Sequence, residues 1–189
     1  KADNFGSLIR PVDMDYAEIR RVLAEKGIGN QLLLEHVHHD VLRVLEQAEY
    51  LSQRYQAVVA NPPYMGSGGM NPRLSTWAKS TYASSKMDLF SMFMERNIDL
   101  IQAAGYVSMV TMQSWMFLSS YEKLRLLLLS KFQVCSLTQI GYNSFPELNS
   151  KVAQACAFIF ERTQREISGS YINLNDAPQS ADKNSVFLG

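Results

Sequence analysis

Two consecutive prolines, Pro62 and Pro63, close the apolar run Tyr55-Gln56-Ala57-Val58-Val59-Ala60 and restrict everything around them. A short apolar run rich in β-branched residues suits a strand. Proline has no N–H for a sheet ladder and drives the residue before it out of the α region. Asn61 and Pro62 are therefore both extended, and the chain must leave the sheet here with its carbonyls free to accept. The expectation is a buried strand over Ala57 to Ala60, Asn61 at its end and Tyr64 close behind. The Asn61 side-chain oxygen and the Pro62 carbonyl can then receive both hydrogens of a planar NH₂ group, with the Tyr64 ring as a stacking platform. The plainer alternative is a Pro-Pro loop in which Asn61 caps a turn.

The rest of the chain alternates helical and strand-like stretches. Lys1 to Pro11 reads as an extended lead-in, with Phe5-Gly6-Ser7-Leu8-Ile9 strand-like or turn-like. Asp15 and Glu18 have capping-box spacing and open a helix from Tyr16 to Lys26. A second helix over Leu32 to Gln53 carries Val37, Val41, Val44, Leu45 and Ala48 on one face. Met65 to Ser85 has few periodic apolar residues and reads as a Gly/Ser/Asn loop. Met87 to Ala104 is a helix stopped by Gly105, Tyr106 to Met112 a strand, and Tyr121 to Lys131 a Leu-rich helix. Val134 to Ile140 and Ala153 to Phe160 are strands whose short connection favours an antiparallel hairpin. The composition turns polar after Thr163, with Tyr171-Ile172-Asn173-Leu174 the one strand candidate there. This is the pattern of an α/β layered sheet. The expected division is a main part over 1–162 and a polar extension over 163–189.

Eighteen basic residues balance eighteen acidic ones, and 47% of the residues are hydrophobic. That is enough apolar material for one core, but not the basic excess of a free-standing DNA-binding domain. Any main grip on nucleic acid is expected elsewhere in a larger protein, and the opening Lys1-Ala2-Asp3 reads as an internal start. Cys135 and Cys156 fall in apolar runs and read as buried thiols of a reducing, cytoplasmic compartment. No apolar stretch approaches the about 18 residues of a membrane span. His36, His39 and Asp40 share a helical face, but no Cys or further His completes a zinc set, so a solvated face is expected and no metal. Gly66-Ser67-Gly68-Gly69 lacks the Lys of a phosphate loop and reads as flexibility in a substrate loop.

Asn61-Pro62-Pro63-Tyr64, set behind a strand, resembles the catalytic motif of amino-methyltransferases that use S-adenosylmethionine (AdoMet), above all the N6-adenine DNA methylases. With proline near one residue in twenty, a chance match in a chain this short is on the order of one in a thousand. Three later segments resemble the same family in order: Asp88-Leu89-Phe90 and its helix, Gly105 to Thr111 with Ser114-Trp115, and Phe145-Pro146 ahead of Lys151 to Arg162. Asn4-Phe5-Gly6-Ser7-Leu8 is similar to a stretch before the catalytic strand in phage-defence (BREX) methylases and fused restriction–methylation enzymes.

The resemblance implies a Rossmann-like methyltransferase sheet, here its later strands with an antiparallel final hairpin and without the first strands. It implies Asn61, Pro62, Pro63 and Tyr64 at a flipped adenine, with Tyr64 and Phe145 stacking on the base and Tyr142 as the alternative to Phe145. Asp3, Asp88 and Phe90 are implied near the cofactor. The partners implied are duplex DNA, the remainder of a parent chain and defence-system subunits. The Gly-rich turn and acidic residue that hold AdoMet in this family do not occur before Asn61, so the main cofactor motif is expected outside this chain. The competing functions are methylation of RNA adenine or of a protein glutamine, and a degenerate domain serving as an interaction module.

Overall fold

The computed structural model describes residues 2–25, 32–142, 154–163, 165–166, 168–178 and 181–188. They fall into two compact units, Lys1–Arg54 and Tyr55–Gly189.

The first unit is helical. The lead-in forms a short helix α1 (Ala2–Phe5) in place of an extended start, and of the two readings for Phe5 to Ile9 the turn-like one holds, as a 3₁₀ turn (Gly6–Leu8). Phe5 and Leu8 are buried there, and Gly6 takes a φ of +51° that a side chain would resist. Helix α2 (Tyr16–Glu25) starts as expected, the Glu18 N–H donating to Asp15 Oδ1 at 2.9 Å. Helix α3 (Leu32–Ser52) is joined to α2 by Arg20, whose guanidinium lies 2.9 Å from Glu49 and 3.8 Å from Glu46. Val37, Val41 and Val44 on α3 are exposed, as are His36, His39 and Asp40, the last paired with Arg43 at 3.5 Å.

The second unit is a five-stranded sheet in the order β1-β2-β4-β3-β5: β1 (Tyr55–Ala60), β2 (Ile101–Met112), β3 (Gln133–Gly141), β4 (Ala155–Glu161) and β5 (Ser170–Asn173). β1 pairs with β2, and β3 with β5, in parallel; β4 runs antiparallel between β2 and β3. The expected antiparallel pair is therefore present, with its second strand inserted into an otherwise parallel sheet. The tail beyond 163 supplies β5 and a short helix α7 (Lys183–Leu188), so the polar stretch extends the sheet at the β3 edge.

One face of the sheet holds the core. Val107 opposes Phe160, Met109 opposes Phe158 and Thr111 opposes Cys156, all buried. Helices α5 (Leu89–Leu100) and α6 (Glu122–Leu129) cover them with Phe90, Met94, Ile98, Leu124 and Leu128. Phe158 and Phe160 stack at 4.6 Å, each with its face or edge against Trp115. On the opposite face the row Val59–Ser108–Ile159–Ser136 crosses four strands, and Val59 is 79% exposed. The expectation of a buried β1 is met only in part: no β1 residue is fully buried, and Val58 and Ala60 are half-buried against the core. An unbroken apolar run signals cover on both sides, and among the described residues Val58 packs on the core while Val59 has no cover.

Two further boundaries differ from expectation. Residues within the expected loop 65–85 form a 3₁₀ turn (Ser67–Gly69) and helix α4 (Pro72–Thr81). Asn71 is its N-cap, accepting the Leu74 N–H at 2.8 Å, and Pro72 follows at the first turn. Helix α5 stops at Leu100 because Ile101–Ala104 have joined β2. The register slips between Tyr55 and Ala57, and a side chain at Gly105 would press on the Tyr55 and Gln56 carbonyls. Gly105 marks a bulge, not a helix end. No helix among the described residues is long and apolar enough to cross a membrane.

Candidate functional site

Asn61 leaves the carboxyl end of β1 and is exposed; Pro62 behind it is buried, Pro63 exposed and Tyr64 half-buried. The turn is thus anchored at alternate residues, which leaves the Asn61 side chain at the surface. Parallel strands present their carboxyl ends on one edge, the usual ligand edge of an open α/β sheet. β1, β2, β3 and β5 all end on this edge.

Tyr64 is held by its ring and by the backbone that follows it. Its ring meets Phe90 edge-on at 6.1 Å and 82°, and Phe90 in turn meets Tyr121 at 5.8 Å. Behind Tyr64, the Met65 N–H donates to Asp88 Oδ1 at 3.0 Å, and the same oxygen accepts the Phe90 N–H at 3.1 Å as the N-cap of α5. Leu89 N–H to Met65 O (3.0 Å) and Ser67 N–H to Met87 O (2.8 Å) complete a small antiparallel bridge around Gly66 and Asp88.

Burial sets the ionisation of this cluster. Desolvation pushes the Tyr64 phenol up to about 12, with the charges of Cys156 and Asp88 adding to it, so the hydroxyl stays protonated at neutral pH. Desolvation also raises the Asp88 carboxyl above the usual range, opposed by the N–H groups of Phe90, Met65 and Leu89. The Tyr121 phenol is raised by burial as well, against hydrogen bonds with Ser114 and Ser91. The Cys156 thiol, buried beside Thr111 and Trp115, is pushed up by desolvation.

The remaining residues expected at a site fare differently. Phe90 has no exposed surface, and Asp88 is 7% exposed with one oxygen committed to two backbone N–H groups. Asp3 is exposed on α1 of the first unit. Phe145 lies outside the described residues; Tyr142, directly after β3, is half-buried.

Residues 19–145, more than half of the chain, match the family described as "Eco57I restriction-modification methylase". The chain belongs to this family. It is 37% identical over 173 residues to "Adenine-specific methyltransferase BrxX" of Escherichia coli O9:H4 (strain HS). It is 34% identical over 176 residues to "Adenine-specific methyltransferase PglX" of Lacticaseibacillus casei (strain Zhang). Each match covers 90% of this chain and 14% of the relative. Among solved structures, the restriction-modification enzyme LlaGI, in complex with a DNA substrate mimic, shares the fold at a TM-score of 0.52. That match has 13% identity and covers 72% of this chain and 16% of that one. DrdV, solved in complex with DNA, does so at 0.51 and 18%, over 69% and 16%.

One feature of the ligand edge was not anticipated from the sequence. Gln113, just past β2, donates its side-chain amide to Gln154 at the start of β4. The Asn175 amide, just past β5, reaches Gln139 at 2.9 Å and Gln113 at 3.4 Å. These amides tie together the strand ends next to Asn61's edge. The amides lie inside β3 (Gln139) or within two residues of the ends of β2, β4 and β5, a placement with no pattern along the chain, and only the strand order brings them together.

Proposed function

We propose that this chain is the acceptor half of an AdoMet-dependent N6-adenine methyltransferase acting on DNA in a restriction-modification or phage-defence system. The observation that carries the reading is the placement of Asn61: exposed at the carboxyl end of β1, directly ahead of a buried proline and three residues before a half-buried tyrosine. BrxX and PglX, both named as adenine-specific methyltransferases, support the substrate, and the DNA complexes of LlaGI and DrdV support the partner.

An exocyclic amine conjugated with a purine is a poor nucleophile, because its lone pair is delocalised. Hydrogen bonds from N6–H to the Asn61 side-chain oxygen and the Pro62 carbonyl favour a pyramidal nitrogen and localise that pair. These acceptors strengthen as positive charge develops on nitrogen, so they act on the transition state more than on the bound base. Tyr64 stacks on the flipped base, offsetting part of the few kcal/mol of unstacking with about 1–3 kcal/mol. Its phenol, protonated at neutral pH, puts no negative charge against the ring.

AdoMet supplies an electrophilic methyl group when bound. Of the residues expected to touch it, Phe90 is wholly buried, Asp88 gives one oxygen to backbone N–H groups and Asp3 is exposed on α1, and no step is assigned to any of them. The chemistry assigned to this chain is therefore confined to the amine. In the complete protein, Asn61→Ala is expected to lower kcat by at least about a hundredfold with modest change in DNA affinity. Turnover on unmodified DNA within about threefold of the parent would remove Asn61 from the chemistry.

A further inference from the structure

The segment from Gly66 to Met87 leaves the site just after Tyr64, forms α4, and returns to within hydrogen-bond distance of its point of departure. A long excursion of this kind does not by itself hold its first residue in place. The return is closed by the bridge between Gly66 and Asp88, flanked by the Leu89–Met65 and Ser67–Met87 hydrogen bonds. Inside that closure a single side-chain atom, Asp88 Oδ1, accepts one N–H from each of the two segments: Met65, 23 residues away in sequence, and Phe90.

An N-cap needs only the second of these. Ser, Thr and Asn cap helices about as well as Asp, and a carboxylate buried with no cation paired to it among the described residues is costly to keep there. The first bond, to Met65, is the one that capping leaves unexplained. It fixes the backbone next to Tyr64, while Phe90, two residues beyond Asp88, fixes the ring.

We propose that Asp88 is a positioning residue for methyl transfer, its Oδ1 clamping Met65 to the start of α5 so that Tyr64 and Asn61 are set against the base. This rests on the proposed function above and assigns Asp88 to the acceptor side of the reaction. The clamp acts through the loop alone and touches neither base nor cofactor.

Side-chain reach separates the clamp from the cap. Asp88→Asn keeps an oxygen at the same position and both bonds. Asp88→Ser keeps a cap on α5, but its shorter side chain falls short of Met65. Asp88→Ala loses both. In the complete protein, with unmodified genomic DNA and radiolabelled AdoMet, Asn is expected to keep kcat within about fivefold. Ser and Ala are expected to lose at least about tenfold in kcat with KM for DNA changed less than about threefold. Thermal unfolding of the Ser variant should stay near that of the parent, which separates lost positioning from lost folding. A Ser variant with parental kcat would overturn the clamp, as would an Asn variant as impaired as Ala. If Asn61→Ala turns over within about threefold of the parent, the proposed function fails, and the clamp with it. If Asn61→Ala is impaired while Asp88→Ser turns over normally, only the clamp fails.

Discussion

Phe90 links the candidate site to the core, and its removal has a calculable cost. Its ring has no exposed surface and touches Tyr64 on one side and Tyr121 on the other. Truncating a buried Phe to Ala costs about 3–5 kcal/mol, through lost burial and the cavity left behind. Two aromatic pairs at about 0.5–1.5 kcal/mol each are part of that loss, so Phe90→Ala belongs near about 4 kcal/mol. Phe90→Leu, which keeps most of the volume, belongs nearer about 1–2 kcal/mol. Urea unfolding followed by tryptophan fluorescence is a direct assay, because Trp115 sits in the same core cluster. At a slope of about 2 kcal/mol per M, the Ala variant's midpoint falls by about 2 M, and the slope itself should not change. A double-mutant cycle with Tyr64→Leu isolates the edge contact and should return about 0.5–1.5 kcal/mol of coupling. A loss below about 1 kcal/mol for Phe90→Ala, or no coupling to Tyr64, would refute the view that α5 holds Tyr64 through this ring.

Two other outcomes follow from burial. Because burial raises the folded-state pKa of Asp88, its carboxyl favours the folded state fully below the ordinary Asp range, and that contribution is lost as pH rises through the raised value. Asp88→Asn should therefore gain stability relative to the parent between mildly acidic and neutral pH; urea midpoints measured across that range and showing a constant difference would contradict it. The two faces of the sheet should also respond oppositely to a hydroxyl. In the 189-residue chain, Val59→Thr should stay within about 0.5 kcal/mol of the parent, whereas Val107→Thr should cost about 1–3 kcal/mol, as read from the same unfolding curves; equal effects would mean that the exposed face is covered.

Local chemistry made much of this protein legible. Pro62 and Pro63 can only end a strand, so the position of Asn61 at the rim of the sheet followed from backbone sterics. The helix over Tyr16–Glu25 followed from Asp15 and its cap, and the antiparallel pairing of β3 with β4 from their short connection. Helix α4 was legible too, in Asn71-Pro72, but its weak apolar periodicity concealed it. Gly105 was misleading because a glycine that stops a helix and one that lets two backbones meet look alike in one dimension.

What the sequence determined by itself was the end of β1 at Ala60, the start of α2 at Tyr16 and which motif sits at the rim, because those depend on neighbours a few residues apart. The tertiary structure decided that one face of β1 is core and the other open, that the polar tail adds β5, and that Gln113, Gln139 and Asn175 meet. It also decided that Asp88 accepts the Met65 N–H, 23 residues away, and that the Phe90 ring meets Tyr64 across the fold. No local pattern encodes such contacts, because they exist only once the sheet order has been set.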